Sequence, residues 1–118
     1  MDEISICRES LVWDVTEYGV SQPYEICPGD FGFEKAGMTE IKGGTPDENA
    51  EVLRRILNGE RGARRDVVVM NTAAALVAGN QASDFKEGAQ IAEKVIDDGQ
   101  AQAKLGELIN FSRNIEVR

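Results

Sequence analysis

The 118-residue chain contains no histidine. That removes the usual general base, the usual partner of a nucleophile and the commonest zinc ligand. It has two cysteines, Cys7 and Cys27, too few for a structural zinc site. Both are expected in short strands as small, buried, reduced apolar residues, with a disulfide between neighbouring strands as the alternative. No segment approaches the roughly 18 to 20 apolar residues needed to span a bilayer. Positive charge is scarce too: 13 Lys and Arg stand against 21 Asp and Glu, a net charge of −8. The basic residues are scattered, which argues against a nucleic-acid surface. The start Met-Asp-Glu has the wrong charge for a signal peptide. These features predict a cytoplasmic protein that meets neither nucleic acid nor membrane.

The length suits one domain with a modest core, roughly two-thirds of the unfolded surface being buried if compact. Apolar and charged fractions are those of a globular chain. Composition shifts near Gly43 from strands and turns to helices. Ile4 to Arg8 is expected as a short strand. Leu11 to Thr16 alternates with period two, and Gln22 to Cys27 is the returning strand. The turn between them, Glu17 to Ser21, is longer than the tightest type. Pro28 to Gly44 is rich in glycine and reads as a loop.

Four helices follow. Thr45, Pro46 and Glu48 form a capping box with proline at the first helical position. Asp47 to Asn58 is the first helix, with Leu53, Ile56 and Leu57 inward, and Gly59 offers a left-handed residue to end it. Asp66 to Ala78 is apolar all round and must be buried on most sides, with Met70, Ala73-Ala74-Ala75, Leu76 and Val77 as core. Gly79 stops it. Ser83 is the expected cap of the third helix, which runs to Asp98 with a stripe of Phe85, Ala89, Ala92, Val95 and Ile96. The fourth spans about Gln100 to Ser112, its apolar residues being Leu105, Leu108, Ile109 and Phe111.

Few residues suggest chemistry. Asp2-Glu3 could offer oxygen ligands to a hard cation, although the residues alone favour a solvated acidic stretch. Gly43-Gly44 precedes a helix N-terminus, a place that attracts anions. There Thr45 and Glu48 already occupy the free N–H groups, and Asp47 repels phosphate. Asp30-Phe31-Gly32 spells a protein-kinase tripeptide, but the catalytic-loop pattern is missing and the chain is too short for that fold. Arg61, Arg64 and Arg65 could meet a phosphate or carboxylate. A structural role, tying down a loop or helix end, fits them better. Trp13, Tyr18 and Tyr24 read as hairpin packing or as a face for a partner. No residue stands out as a base or nucleophile.

The order and spacing of several short motifs resemble anthranilate phosphoribosyltransferases over nearly the whole chain. Asp2-Glu3-Ile4-Ser5 is similar to that family's acidic metal-binding motif. Tyr24-Glu25-Ile26 with Pro28-Gly29-Asp30-Phe31-Gly32 resembles its strand and following loop. Its helical pattern is matched by Gly43-Gly44, Glu48-Asn49-Ala50, Leu57, Gly59, Gly62, Arg65-Asp66, Asn71, Ala73-Ala74-Ala75-Leu76 and Gly79. Glu87-Gly88-Ala89, Ala92, Ile96, Gly99, Ala101 and Lys104-Leu105 match its last helices.

The resemblance implies that residues 1–118 are a single unit. That unit is the C-terminal part of an α/β domain of the phosphoribosyltransferase/nucleoside-phosphorylase-like type, locally an antiparallel hairpin plus four helices. It implies that Asp2 and Glu3 hold magnesium, which bridges to the pyrophosphate of phosphoribosyl pyrophosphate, and so reverses the reading of that pair. The family's glycine-rich diphosphate loop and its anthranilate-binding residues are not in this chain. An acidic fragment would repel a sugar diphosphate unless a cation stood between them. The expectation is a chain inactive alone that works with the N-terminal portion of the enzyme. Self-association is expected as well. A related transferase with another aromatic or nucleobase substrate, and a non-catalytic interaction module, remain alternatives.

Overall fold

The computed structural model describes residues 3–115. It is an α/β fragment in which a split antiparallel ribbon and a looped segment lie against four helices. In chain order the elements are β1 (Ser10–Val12), β2 (Val15–Thr16), β3 (Gly19–Val20), β4 (Tyr24–Ile26), a 3-10 turn (Pro28–Phe31), α1 (Pro46–Leu57), α2 (Ala63–Ala78), α3 (Phe85–Asp97) and α4 (Gln100–Arg113).

The expected hairpin is present but broken into two ladders. β1 pairs with β4, Leu11 facing Glu25. β2 pairs with β3, Val15 facing Val20 and Thr16 facing Gly19. The register slips by one residue between them. Ser21 N–H donates to Asp14 O at 2.9 Å, so Trp13 alone opposes both Gln22 and Pro23. This is a bulge, and Pro23, which has no N–H, sits where the ladder fails. The turn is therefore the tight two-residue Glu17-Tyr18, shorter than the sequence suggested.

Ile4 to Arg8 is not a strand: Ile4 and Ser5 are irregular, and the chain bends from Ile6 to Arg8. Its backbone finds partners outside any ladder. Ile4 pairs with the Asn71 side-chain amide, and Ile6 O accepts from Ala36 N–H at 3.2 Å. Cys7 lies in this stretch and Cys27 just beyond β4; both are free and half-buried.

The helices follow their end signals. Thr45 Oγ accepts from Glu48 N–H at 3.3 Å, and Glu48 Oε2 accepts from Thr45 N–H at 2.7 Å. α1 ends in a Schellman motif: Glu60 N–H reaches Arg55 O and Gly59 N–H reaches Ile56 O, with Gly59 at φ +94°. α2 ends the same way, but its left-handed residue is Asn80 (φ 54°) and not Gly79. The cap of α3 is Asp84, whose Oδ1 accepts from Glu87 N–H at 2.8 Å. Ser83, the expected cap, donates instead from its N–H and hydroxyl to the Glu87 carboxylate. Aspartate can reach the third N–H from the residue directly before the helix, and Ser83 stands one residue too early.

The core lies where α2 crosses α3. Val69, Met70 and Ala73 meet Ala89, Ala92 and Ile96, with Ile6, Ile26 and Phe31 closing one side. Gly88 is what permits the close crossing: a β-carbon there would stand 2.9 Å from Ala73 O. Phe31 stacks on Phe85 with ring centroids 4.9 Å apart. On α2 only Val68, Thr72, Ala75 and Ala78 are exposed. The helix is buried on most sides, though Ala75 leaves the expected core. On α1 Ile56 is buried and Leu57 half-buried, while Leu53 is exposed. α4 buries nothing fully; Leu108 and Phe111 face outward at its free side.

Candidate functional site

Asn71 stands in the almost wholly apolar stretch from Val67 to Ala78, where an amide needs partners. Its Oδ1 accepts from Ile4 N–H at 2.9 Å, and its Nδ2 donates to Ile4 O at 3.0 Å and to Val67 O at 2.9 Å. The side chain acts toward Ile4 as an adjacent strand would. It anchors the Ile4 backbone, and with it the approach of Glu3 and Ser5, one residue to either side. The sequence marked Asn71 only as part of a pattern; the lone amide on an apolar helix was the signal of its task.

Glu3 faces a concavity of about 460 Å3 lined also by Ser5, Cys7, Arg8, Glu9, Ser10, Leu11 and Met38. Two hydroxyls shape it. Ser10 Oγ accepts from Ser5 N–H, and Ser5 Oγ accepts from Cys7 N–H, each at 3.1 Å. Glu9 is paired with Lys35, which holds its carboxyl below the usual range, chiefly through their hydrogen bond. Asp2, the other half of the acidic pair, lies outside the described residues. Among the described residues no group of three or more potential metal ligands converges. Glu3 is exposed and lines this concavity with Ser5 and Ser10; a carboxylate is a hard oxygen donor that suits magnesium but supplies only part of its shell.

The glycine pair before α1 is not an anion site. A larger concavity of about 560 Å3 opens beside Gly43 and Gly44, but Asp47, Glu48 and Glu51 line it against Lys42, Arg55 and Arg64, which leaves no excess of positive charge. Gly44 N–H is taken by Asn49 Oδ1 at 2.8 Å, and the capping box uses the next donors. Arg64 is spent on the carbonyls of Glu40 and Lys42 at 3.1 and 3.0 Å.

The other two arginines join helices. Arg65 is 1% exposed and donates from Nη1 to Asp97 at 2.7 Å. Its Nη2 lies 3.9 Å from Glu93, beyond hydrogen-bond reach. Arg61 reaches the same two carboxylates at 3.5 and 3.3 Å. The hydrogen bond from Arg65 lowers the Asp97 pKa, while desolvation, reinforced by Glu93, raises that of Asp66. This network ties the start of α2 to α3, the structural role expected of it. Asp30 is structural as well: its carboxylate accepts from Cys27 N–H at 2.7 Å and closes the 3-10 turn.

Trp13, Tyr18 and Val15 are 51%, 92% and 78% exposed, so the hairpin tip presents an apolar face. A wide groove of about 860 Å3 separates this tip from the end of α2, with Ile4, Ala74 and Val77 at its base.

The chain matches known proteins along nearly its whole length. The anthranilate phosphoribosyltransferase of Pelotomaculum thermopropionicum is 47% identical over 115 residues, 98% of this chain and 33% of that one. The crystal structure of anthranilate phosphoribosyltransferase from Thermus thermophilus superposes with a TM-score of 0.84 at 32% identity, covering 96% of this chain and 33% of its own. The Saccharomyces cerevisiae enzyme in complex with PRPP and Mg gives 0.87 at 26%, covering 98% and 33%. The chain thus spans about a third of the length of the relatives it matches. No helix among the described residues is long and apolar enough to cross a membrane. The model of the glycosyl transferase family, a/b domain, matches residues 1–102, and the chain belongs to that family.

Proposed function

We propose that this chain is the C-terminal third of a cytoplasmic anthranilate phosphoribosyltransferase. The complete enzyme transfers phosphoribose from phosphoribosyl pyrophosphate to the amine of anthranilate and releases pyrophosphate, a step of tryptophan biosynthesis. The observation that carries this reading is the likeness to such enzymes over 97% or more of the chain. Asp2 and Glu3 are the magnesium ligands in this reading. Glu3 lines a concavity beside Ile4, whose backbone Asn71 clamps. When bound there, magnesium would supply positive charge to offset that of the pyrophosphate. This chain's part is to hold the carboxylate in place.

The chain alone is inactive in this reading. Its charge of −8 repels a sugar diphosphate, and magnesium gives up water reluctantly without a phosphate to complete its shell. The partner is the N-terminal portion of the same enzyme, which brings the glycine-rich loop and the anthranilate pocket. A fluorescence assay of anthranilate consumption tests this, run with the chain alone and with that portion added. No turnover alone and turnover on addition are expected. Turnover by the lone chain would show that the phosphate cradle lies within these residues.

A further inference from the structure

We propose that the hairpin arm and the end of α2 form a docking groove for a basic, amphipathic helix of a partner protein. The surface is independent of the transferase reading. Its charge is already written in the sequence. Between Arg8 and Lys35 the chain carries six carboxylates and no basic residue. Glu9 is paired with Lys35, and Asp30 closes the 3-10 turn. Asp14 and Glu17 instead line the groove of about 860 Å3, and no lysine or arginine lines it. Both are exposed, and among the described residues neither has an ion-pair partner. Apolar surface lies beside this charge. Ala74 and Val77 of α2 join Ile4 as a half-buried floor, while Trp13 and Tyr18 stand 51% and 92% exposed on the arm. Large aromatic side chains of this kind anchor interfaces. An apolar floor next to unpaired carboxylates is complementary to a helix with one apolar face flanked by lysine or arginine.

The arm is held ready for such a partner. Thr16 Oγ1 accepts from Tyr18 N–H at 3.2 Å. Asp14 N–H donates to Ser21 Oγ and Ser21 N–H to Asp14 O, each at 2.9 Å. The Tyr24 hydroxyl donates to Asp14 Oδ1 at 3.2 Å, which orients that carboxylate without neutralising it. These closures fix the backbone that bears Trp13 and Tyr18, so less freedom is lost when a partner seats. Addition of a strand to the arm is the weaker mode, because β2 and β3 have two residues each and offer little edge to pair with. A helix needs no ladder and uses the side-chain surface already present.

Trp13 is the only tryptophan, so its fluorescence reports on this groove alone. The test titrates the dilute 118-residue chain with a synthetic amphipathic leucine–lysine helix. A saturable blue shift is expected, weakened by added salt. The double change Asp14→Asn with Glu17→Gln should weaken it about tenfold, and Tyr18→Ser should weaken it as well; all three positions are exposed, so the fold is kept. Glu51→Gln with Glu107→Gln removes the same charge from α1 and α4 and should leave binding as it was. The leucine–glutamate counterpart of the peptide should give no shift. No saturable shift, an equal shift with the leucine–glutamate peptide, or equal weakening by the α1 and α4 pair would each overturn the groove. A shift that appears on raising the chain concentration without peptide would give the face to a second copy. A shift on adding the N-terminal portion of the enzyme, with the peptide then excluded, would give it to that portion. Either result would overturn the proposal, and neither bears on anthranilate turnover, by which the transferase reading stands or falls separately.

Discussion

Asn71 and Ile4, 67 positions apart in sequence, are joined by a two-way amide pair: Ile4 N–H donates to Asn71 Oδ1 and Asn71 Nδ2 to Ile4 O. A helix side chain here does the work of a neighbouring strand. Asn71→Leu leaves both Ile4 groups without partners in a partly buried place, at a cost of about 1–3 kcal/mol. Urea midpoints should fall accordingly. In the complete enzyme the same change should weaken magnesium dependence more than Thr45→Ala does, because it frees the segment bearing Glu3.

Gly88 and Gly106 are both helical glycines, yet they should respond oppositely to alanine. At Gly88 the new β-carbon meets Ala73 backbone at 2.9 and 3.0 Å, so α2 and α3 must separate. The expected cost is about 1–3 kcal/mol. At Gly106 nothing lies within 4 Å, and alanine should stabilise α4 by roughly 0.5–1 kcal/mol. Thermal midpoints of the two variants read this directly.

Removing the Thr45 hydroxyl should destabilise the chain by about 1 kcal/mol, since Glu48 N–H loses its acceptor. Glu48→Ala should also destabilise, because Thr45 N–H loses the reciprocal bond. Denaturant midpoints unchanged by both substitutions would show that the box contributes nothing.

Asp97 sets an acid limit. Arg65 holds its pKa below the ordinary carboxylate value in the folded chain. The folded state therefore binds that proton less readily than the unfolded one. The stabilisation is complete above the unfolded pKa of about 4 and is lost as pH falls through the lower folded value. Asp66 opposes this in part, its raised pKa favouring the folded state as pH drops. Unfolding midpoints measured from pH 7 down to 2 should decline less steeply for Asp97→Asn than for the wild type, from a lower starting stability.

The hairpin tip exposes Val15, Tyr18 and Val20 at 78%, 92% and 64%, and its two-residue strands leave short unpaired edges. Concentrated solutions of the chain should contain associated species, reduced by Val20→Lys. Monodisperse monomer at millimolar protein by light scattering would count against this.

The helices, their caps and the α2–α3 stripes were legible in the sequence because they rest on local rules: a threonine three residues before a glutamate, small residues at helical spacing, a glycine after a last turn. Even there, Ser83 and Asp84 could not be told apart as caps, since both oxygens suit the task and one residue of offset decides. The place of Ile4 to Arg8 was not local. The sequence reading expected a short strand there, and only the tertiary structure shows its backbone satisfied by Asn71 and Ala36 instead. The slipped hairpin is similar: Pro23 was visible, but the bulge depends on how both strands lie against each other. The acidic pair and its family resemblance were read from the sequence. That Arg8, Ser5 and Ser10 share a concavity with Glu3 is decided by a tight turn held by side-chain oxygens, because spacing along a chain says nothing of direction until the backbone is closed.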